Sequence, residues 1–264
     1  MAAVCASCKD PLVLEIEIPD DADGEMTQTI TVPDDVRLPC GENFHWQCLI
    51  DSSFEITKCP SCENDISSAP VSNSTPDAKP QVLATVNNEG GLQPDLDLFP
   101  ILQEESYLKT YPEERQARAF LEFCREGDYH AAAGVLTNDN DEDEDEDEDD
   151  SADASSKPAL DVAAMLRYQD PLAGEQSALH AAAANGHREV AWLLLLLASE
   201  LPEIEIPALV YQEAAALGVM RQDQAGTVDI RTLRDAQGRS AEDVARETGD
   251  TIWNGWFGTG RLAA

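Results

Sequence analysis

Six of the chain's seven cysteines fall within its first 62 residues, in a spacing that leaves few folds open. The order is Cys5-x2-Cys8, a gap of 31 residues, Cys40-x4-His45-x2-Cys48, a gap of 10, and then Cys59-x2-Cys62. A C-x2-C pair presents two thiolates to one ion from a tight turn, and Zn2+ takes four sulfur or nitrogen ligands in a tetrahedron. One such pair is a weak signal. Three paired half-sites this close together are poorly explained by incidental buried cysteines. A domain of ~60 residues also has little core of its own, and a structural metal is a usual remedy.

Charge narrows the partners. Of 264 residues, 52 are acidic and 17 basic, for a net charge of −35. Nucleic acids and anionic membranes are held by Lys and Arg neutralising phosphates, so neither is expected as a partner. Basic proteins or peptides are the electrostatically permitted ones. MAAVCASCKD lacks a basic segment followed by an apolar run, so no secretory signal is expected. VAWLLLLLA at 190–198 is too short to cross a bilayer of roughly 30 Å. The expectation is a soluble intracellular protein, cytoplasmic and/or nuclear, whose thiols stay reduced and serve as metal ligands before disulfides.

Three regimes follow along the chain. Residues 1–66 hold the cysteine and histidine cluster, and LVLEIEI (12–18) and TQTITV (28–33) alternate as a β-hairpin should, with DDADGE as turn. WQCLIDSSFEI, after His45, fits a short helix. Residues 67–111 open with Ser, Pro, Asn and Gly and read as linker. From 112 to 260 the chain is rich in Ala and Leu at helical spacing. It is interrupted by an acidic insertion at 138–157 and a second insertion at 200–230, where PALVYQEAAALGVMRQ can add a helix. The ten acids DEDEDEDEDD (141–150) repel one another and are expected to stay disordered.

LPCGENFHWQCLIDSSF followed by CPSC resembles the RING finger, whose pattern is two cysteines, a loop, Cys-x-His-x2-(His/Cys)-x2-Cys, a second loop and a closing C-P-x-C. The resemblance covers about residues 3–65 and implies two zincs in a cross-brace. Carried over by position, the first would take Cys5, Cys8, His45 and Cys48. The second would take Cys40, Cys59 and Cys62, with Glu42 standing where the family has histidine. A carboxylate can ligate zinc; the other reading leaves Glu42 in solvent and the fourth position to water or weakly filled. The family docks ubiquitin-conjugating enzymes without a nucleophile of its own. Its docking surface would fall here on Pro60 and the nearby Phe54, whereas Ser7, Ser52 and Ser53 depart from the usual apolar residues. Glu63 replaces a basic residue after the last cysteine.

GEQSALHAAAANGHREVAWLLLLL (174–197) splits into two short helices at Asn185-Gly186 and resembles an ankyrin repeat. Ser177, Ala178, Leu179 and His180 stand at the family's T-P-L-H, and Gly186-His187 at its inter-helix turn. Weaker matches are DAQGRSAEDVARETGDTIWNGWF (235–257) and FLEFCREGDYHAAAGVL (120–136). Gly127, Gly186 and Gly249 are 59 and 63 residues apart against a period of about 33, the surplus matching the insertions. The resemblance implies repeats at about 112–137, 158–199 and 231–258. It also implies a turn-orienting role for His180 and His187, while Cys124 is expected as a buried thiol. Trp192, Trp253 and Trp256 are expected to cover an apolar face or the C-terminal end.

The two resemblances together imply an α+β multidomain chain: a small zinc-stabilised cross-brace domain plus an all-α ankyrin-repeat solenoid. No phosphate loop, Ser/His/Asp arrangement or paired-carboxylate context marks an active site. The function expected is that of a ubiquitin ligase or part of one, its repeats binding the substrate or partner. The alternative is a non-enzymatic adaptor, or an acidic chaperone-like binder of a basic protein.

Overall fold

A computed structural model describes residues 3–18, 28–52, 55–68, 80–137 and 160–264. The acidic run at 141–150 lies outside them. The chain divides into two units, Met1–Thr110 and Tyr111–Ala264.

In the first unit the alternating stretches pair as expected: β1 (Val13–Ile18) runs antiparallel to β2 (Gln28–Pro33), from Val13 opposite Pro33 to Ile18 opposite Gln28. A second sheet has the order β4-β3-β5-β6, from β3 (Asp35–Arg37), β4 (Asn43–Phe44), β5 (Leu83–Asn88) and β6 (Gly91–Asp97). Helix α1 (Trp46–Asp51) follows β4, and α2 (Phe99–Thr110) follows β6. The sheet and both helices enclose Val36, Leu38, Phe44, Leu49, Val82, Val86, Leu98 and Leu102, with Cys5 and Cys59 in the same core.

From residue 80 onward, therefore, the 67–111 stretch is folded and not linker. Val82, Ala84 and Val86 are buried at alternate positions, the period of a half-buried strand. One carboxylate oxygen of Asp97 accepts from the N–H of Val82 at 2.9 Å and of Phe99 at 3.0 Å, tying β5 to the start of α2. Only the Ser- and Pro-rich beginning of the stretch has linker composition.

The second unit contains α3 (Arg115–Glu126), α4 (Tyr129–Thr137), α5 (Val162–Met165), the hairpin β7 (Gln169–Asp170) and β8 (Gln176–Ser177), α6 (Ala178–Asn185), α7 (Arg188–Ala198), α8 (Ala208–Ala216) and α9 (Ala241–Thr248). Helix α6 lies against α3 on one side and α9 on the other, and α7 packs on α4 and α8. Leu193 to Leu197 of α7 are all buried. Past the polar first turn of Arg188 and Glu189 the helix is apolar on every face and must be enclosed, and each such buried side chain contributes about 1.5–3 kcal/mol.

The expected all-α ankyrin-repeat solenoid is not what forms. The chain is mixed α/β, with nine helices and three small sheets among the described residues, and the second unit carries its own hairpin and several 3-10 turns. Two helix pairs are present, α3–α4 and α6–α7. After α9, however, the chain makes a 3-10 turn at Thr251–Trp253 and no second helix. Asp250-Thr-Ile-Trp-Asn-Gly-Trp cannot continue as a helix: Asp250 caps the turn through Ile252 N–H at 2.9 Å, and Gly255 is left-handed at φ 82°. The two indoles fold inward instead. Trp253 and Trp256 are both buried with centroids 5.1 Å apart, and Trp253 Nε1 donates to the Ala183 carbonyl at 3.0 Å.

Turn chemistry unites the helix pairs. Gly127 and Gly186 are left-handed at φ 86° and 78° and close α3 and α6. A Cβ on Gly127 would lie 2.4 Å from His187 Nδ1, and one on Gly186 would lie 2.9 Å from Asp250 Oδ2. His187 Nε2 donates to the Arg125 carbonyl at 2.9 Å. The buried His180 is held from both sides. Nε2 donates to the Arg239 carbonyl at 3.0 Å, so Nδ1 accepts from the Ser177 hydroxyl at 2.7 Å.

Two outcomes are expected. Gly127→Ala should destabilise the chain by roughly 1–3 kcal/mol, since strain and the His187 clash add. Gly249→Ala, at φ 67° with open space around it, should cost only the strain, about 1 kcal/mol; equal losses in chemical denaturation would disprove this account.

The second concerns acid. Burial pushes His180 below its ordinary 6.5, although the Arg239 carbonyl opposes this. Its contribution is therefore complete above 6.5 and is lost as pH falls through the folded value. Burial raises Asp229 and Asp235, but Arg231 and Arg239 outweigh it and hold both below 3.8, so their contribution is lost only in stronger acid. Melting followed by tryptophan emission in a Trp46→Phe background should fall in two steps. His180→Gln should remove the first step alone.

Candidate metal centre

Two turns of the same construction carry the C-x2-C pairs. In the first, Lys9 N–H donates to the Cys5 carbonyl at 3.0 Å and Cys5 N–H to the Asp10 carbonyl at 2.9 Å; in the second, Glu63 donates to Cys59 and Cys59 to Asn64, both at 2.9 Å. The residue after each second cysteine is left-handed, Lys9 at φ 71° and Glu63 at φ 58°. That conformation reverses the chain so both sulfurs face one point. Cys40 comes from the turn before β4, where Gly41 at φ 93° lets its N–H reach the Leu38 carbonyl at 2.9 Å. His45 stands at the start of α1 and Cys48 lies one turn inside it.

These elements gather the ligands into two groups: Cys5, Cys8, His45 and Cys48, and Cys40, Cys59 and Cys62. Within each group the ligand atoms lie within 4.8 Å of one another, a spacing able to hold a metal ion. The pairs interleave along the sequence, 5/8 with 45/48 and 40 with 59/62. Each group therefore joins stretches far apart in sequence, 5–8 to 45–48 and 40 to 59–62.

His45 is set for ligation. Its Nδ1 lies 3.3 Å from Cys8 Sγ and 3.8 Å from Cys48 Sγ, and its Nε2 is 2.8 Å from the Pro11 carbonyl. A carbonyl only accepts, so the proton sits on Nε2 and Nδ1 offers its lone pair to the sulfurs. Burial pushes His45 down, but the Pro11 carbonyl and the neighbouring Cys5 outweigh it and the net direction is up. For Cys5, burial raises the thiol, yet the N–H groups of His45, Cys8 and Ser7 bring it down to about 6. Burial and the sulfurs of Cys8 and Cys5 push Cys48 up to about 12. A cation among these four donors would favour their deprotonated forms and relieve the crowding of sulfurs.

The three-cysteine group is more open. Burial and the sulfurs of Cys59 and Cys62 raise Cys40 to about 11, while the Asn64 N–H lowers Cys62. The Glu42 carboxylate is not among the atoms gathered within 4.8 Å. It is close enough for its charge to raise Cys62, and Glu42's backbone N–H lowers Cys40. Pro60 is half-buried between the last two cysteines, Ser7 and Glu63 are exposed, and Phe54 lies outside the described residues.

Three supporting groups escape sequence reasoning: the carbonyls of Pro11 and Asn64, and Asp34. Asp34 is buried and accepts from Trp46 N–H at 3.0 Å, capping α1 from twelve residues away. No local motif announces a cap at that distance. Outside the two groups, Cys124 is fully buried and its thiol is pushed up by burial, as a packing residue should be.

No protein-family model matches the chain, and neither a curated protein nor a solved structure matches it. No helix among the described residues is long and apolar enough to cross a membrane.

Elemental analysis of the full chain should find two bound metal ions. Cys48→Ser should lose one and Cys59→Ser the other. Glu42→Ala, whose carboxylate stands outside the group, should keep both; loss of an ion there would make Glu42 a ligand.

Proposed function

We propose that residues 1–66 form a RING-like zinc module that acts as or within a ubiquitin ligase, and that the second unit binds the substrate or partner. The observation carrying this reading is the interleaving of the two ligand groups, the order the cross-brace resemblance calls for. Three sulfurs with an imidazole nitrogen, and three sulfurs with one further position, suit Zn2+ above hard cations. Zinc bound there would supply structure and leave the chemistry to the docked enzyme. Cys5, Cys8, His45 and Cys48 would hold one ion and Cys40, Cys59 and Cys62 the other.

Ligation by docking needs no nucleophile, and every cysteine outside the two groups is accounted for by the buried Cys124. Pro60 would present the docking contact; Phe54, the other residue the resemblance assigns to it, lies outside the described residues. Reduced thiols at both groups fit a cytoplasmic and/or nuclear setting.

One observation favours the alternative of a non-enzymatic adaptor. Ser7 and Glu63 are polar and exposed where the family presents an apolar and a basic residue. In addition, α2 packs on α1 and Lys109 donates to the Ile50 carbonyl, so part of the α1 surface is already covered.

A discharge assay with zinc-loaded full chain and a panel of ubiquitin-charged conjugating enzymes separates the two. The ligase reading expects at least one enzyme to be stimulated, and Pro60→Ala to cut that stimulation about tenfold, the scale of one interface hot spot, with zinc content unchanged. Stimulation of none leaves the adaptor.

A further inference from the structure

In the second unit, α4, α7 and α8 border a groove of about 330 Å3. Its walls include Tyr129, Trp192, Leu209 and Val210, and Leu209 is 61% exposed at its lip. With the half-buried Tyr129, Trp192 and Val210 it forms a contiguous apolar surface open to solvent, the kind that marks an interaction site. Among the ten lining residues none is basic and two are acidic, Glu189 on α7 and Glu213 on α8. Both glutamates are exposed, and neither has an ion pair or side-chain hydrogen bond among the described residues. This sets them apart from Glu122, Glu242 and Glu247, each paired with an arginine.

We infer that this groove is a docking site for a basic peptide segment of a protein partner, seating an apolar side chain against Trp192 and Leu209 and placing lysine or arginine at Glu189 and Glu213. Charge complementarity selects this occupant. A second copy would bring another chain of net charge −35 to two unneutralised carboxylates, and nucleic acid or anionic lipid would be repelled by them. The inference deepens, and rests on, the reading of the second unit as the partner-binding half. It is independent of ubiquitin transfer.

The test is fluorescence anisotropy on the full chain with three labelled peptides. One alternates lysine with leucine and phenylalanine, the second replaces lysine by glutamate, and the third replaces the apolar residues by serine. The first is expected to bind, with affinity falling as salt rises, and the other two to bind at least about tenfold more weakly. Glu189→Gln with Glu213→Gln, and separately Leu209→Ser, should each weaken the first peptide about tenfold. All three positions are exposed, so folding should survive, as circular dichroism can verify. Deletion of 141–150 should leave binding in place.

Binding that disappears with that deletion, or that ignores the groove variants, assigns the peptide to the acidic run and overturns the proposal. So does tighter binding of the glutamate peptide, or light scattering that shows dimers abolished by Leu209→Ser. A chain that captures a partner through 111–264 yet ignores the lysine peptide overturns the groove alone and leaves the broader reading of the second unit standing.

Discussion

His45 donates its Nε2–H to the Pro11 carbonyl, and this leaves the Nδ1 lone pair facing the sulfurs of Cys8 and Cys48. Much of the first unit depends on that arrangement. Pro11 follows directly from the Cys5–Cys8 turn and leads into β1, so the hydrogen bond fixes the hairpin's entry against α1. The backbone N–H of His45 approaches Cys5 Sγ at 3.5 Å, which joins the same turn to the start of the helix. Asp34 caps the next residue from the end of β2. The segment from Cys5 to Pro11, the residue after β2 and the start of α1 thus meet around His45 and Trp46 before any core side chain is counted.

The second unit solves a different problem. Its tightest region is an aliphatic stretch of helix, and its polar fixtures, the buried Arg118–Asp170 pair and the half-buried contacts of Arg167, connect distant segments. Arg118 pairs with Asp170, and Arg167 reaches the Val228 carbonyl at 2.6 Å and Gln224 at 2.9 Å. Removing one member of such a pair leaves the other buried and unsatisfied, which costs more than the intact pair contributes. The insertion at 200–230 is therefore not ornamental. Through Gln224, Thr227, Val228 and Asp229 it supplies partners to residues on both sides of it.

What the sequence revealed tracks how local the signal was. The ligand groups were legible because turn cysteines and one histidine carry their own spacing, and the β1–β2 hairpin because strict alternation has few meanings. The helix-ending glycines were legible for the same reason. The regular solenoid was not correct. A match at Ser240, Ala241, Ala245 and Gly249 says that α9 exists, but nothing in it says whether a second helix follows, and the Trp-Gly-rich end chose a turn. Residues 80–110 were misjudged because the composition of 67–79 was extended over them. His45's acceptor and Asp34's cap were invisible since both depend on pairing across strands.

The indole of Trp253 donates to a carbonyl seventy residues earlier, and Leu262 is fully buried in the same core. His180 likewise waits for the carbonyl of Arg239. During synthesis α6 can pack on α3, already made, but its side toward α9 and Trp253 stays uncovered until the last turns of the unit have left the ribosome. Contacts so far apart in sequence also slow folding, because loop closure must precede them. The unit is thus most vulnerable to aggregation in the interval between its fifth helix and its final tryptophans, a vulnerability that belongs to the order of assembly and not to the finished fold.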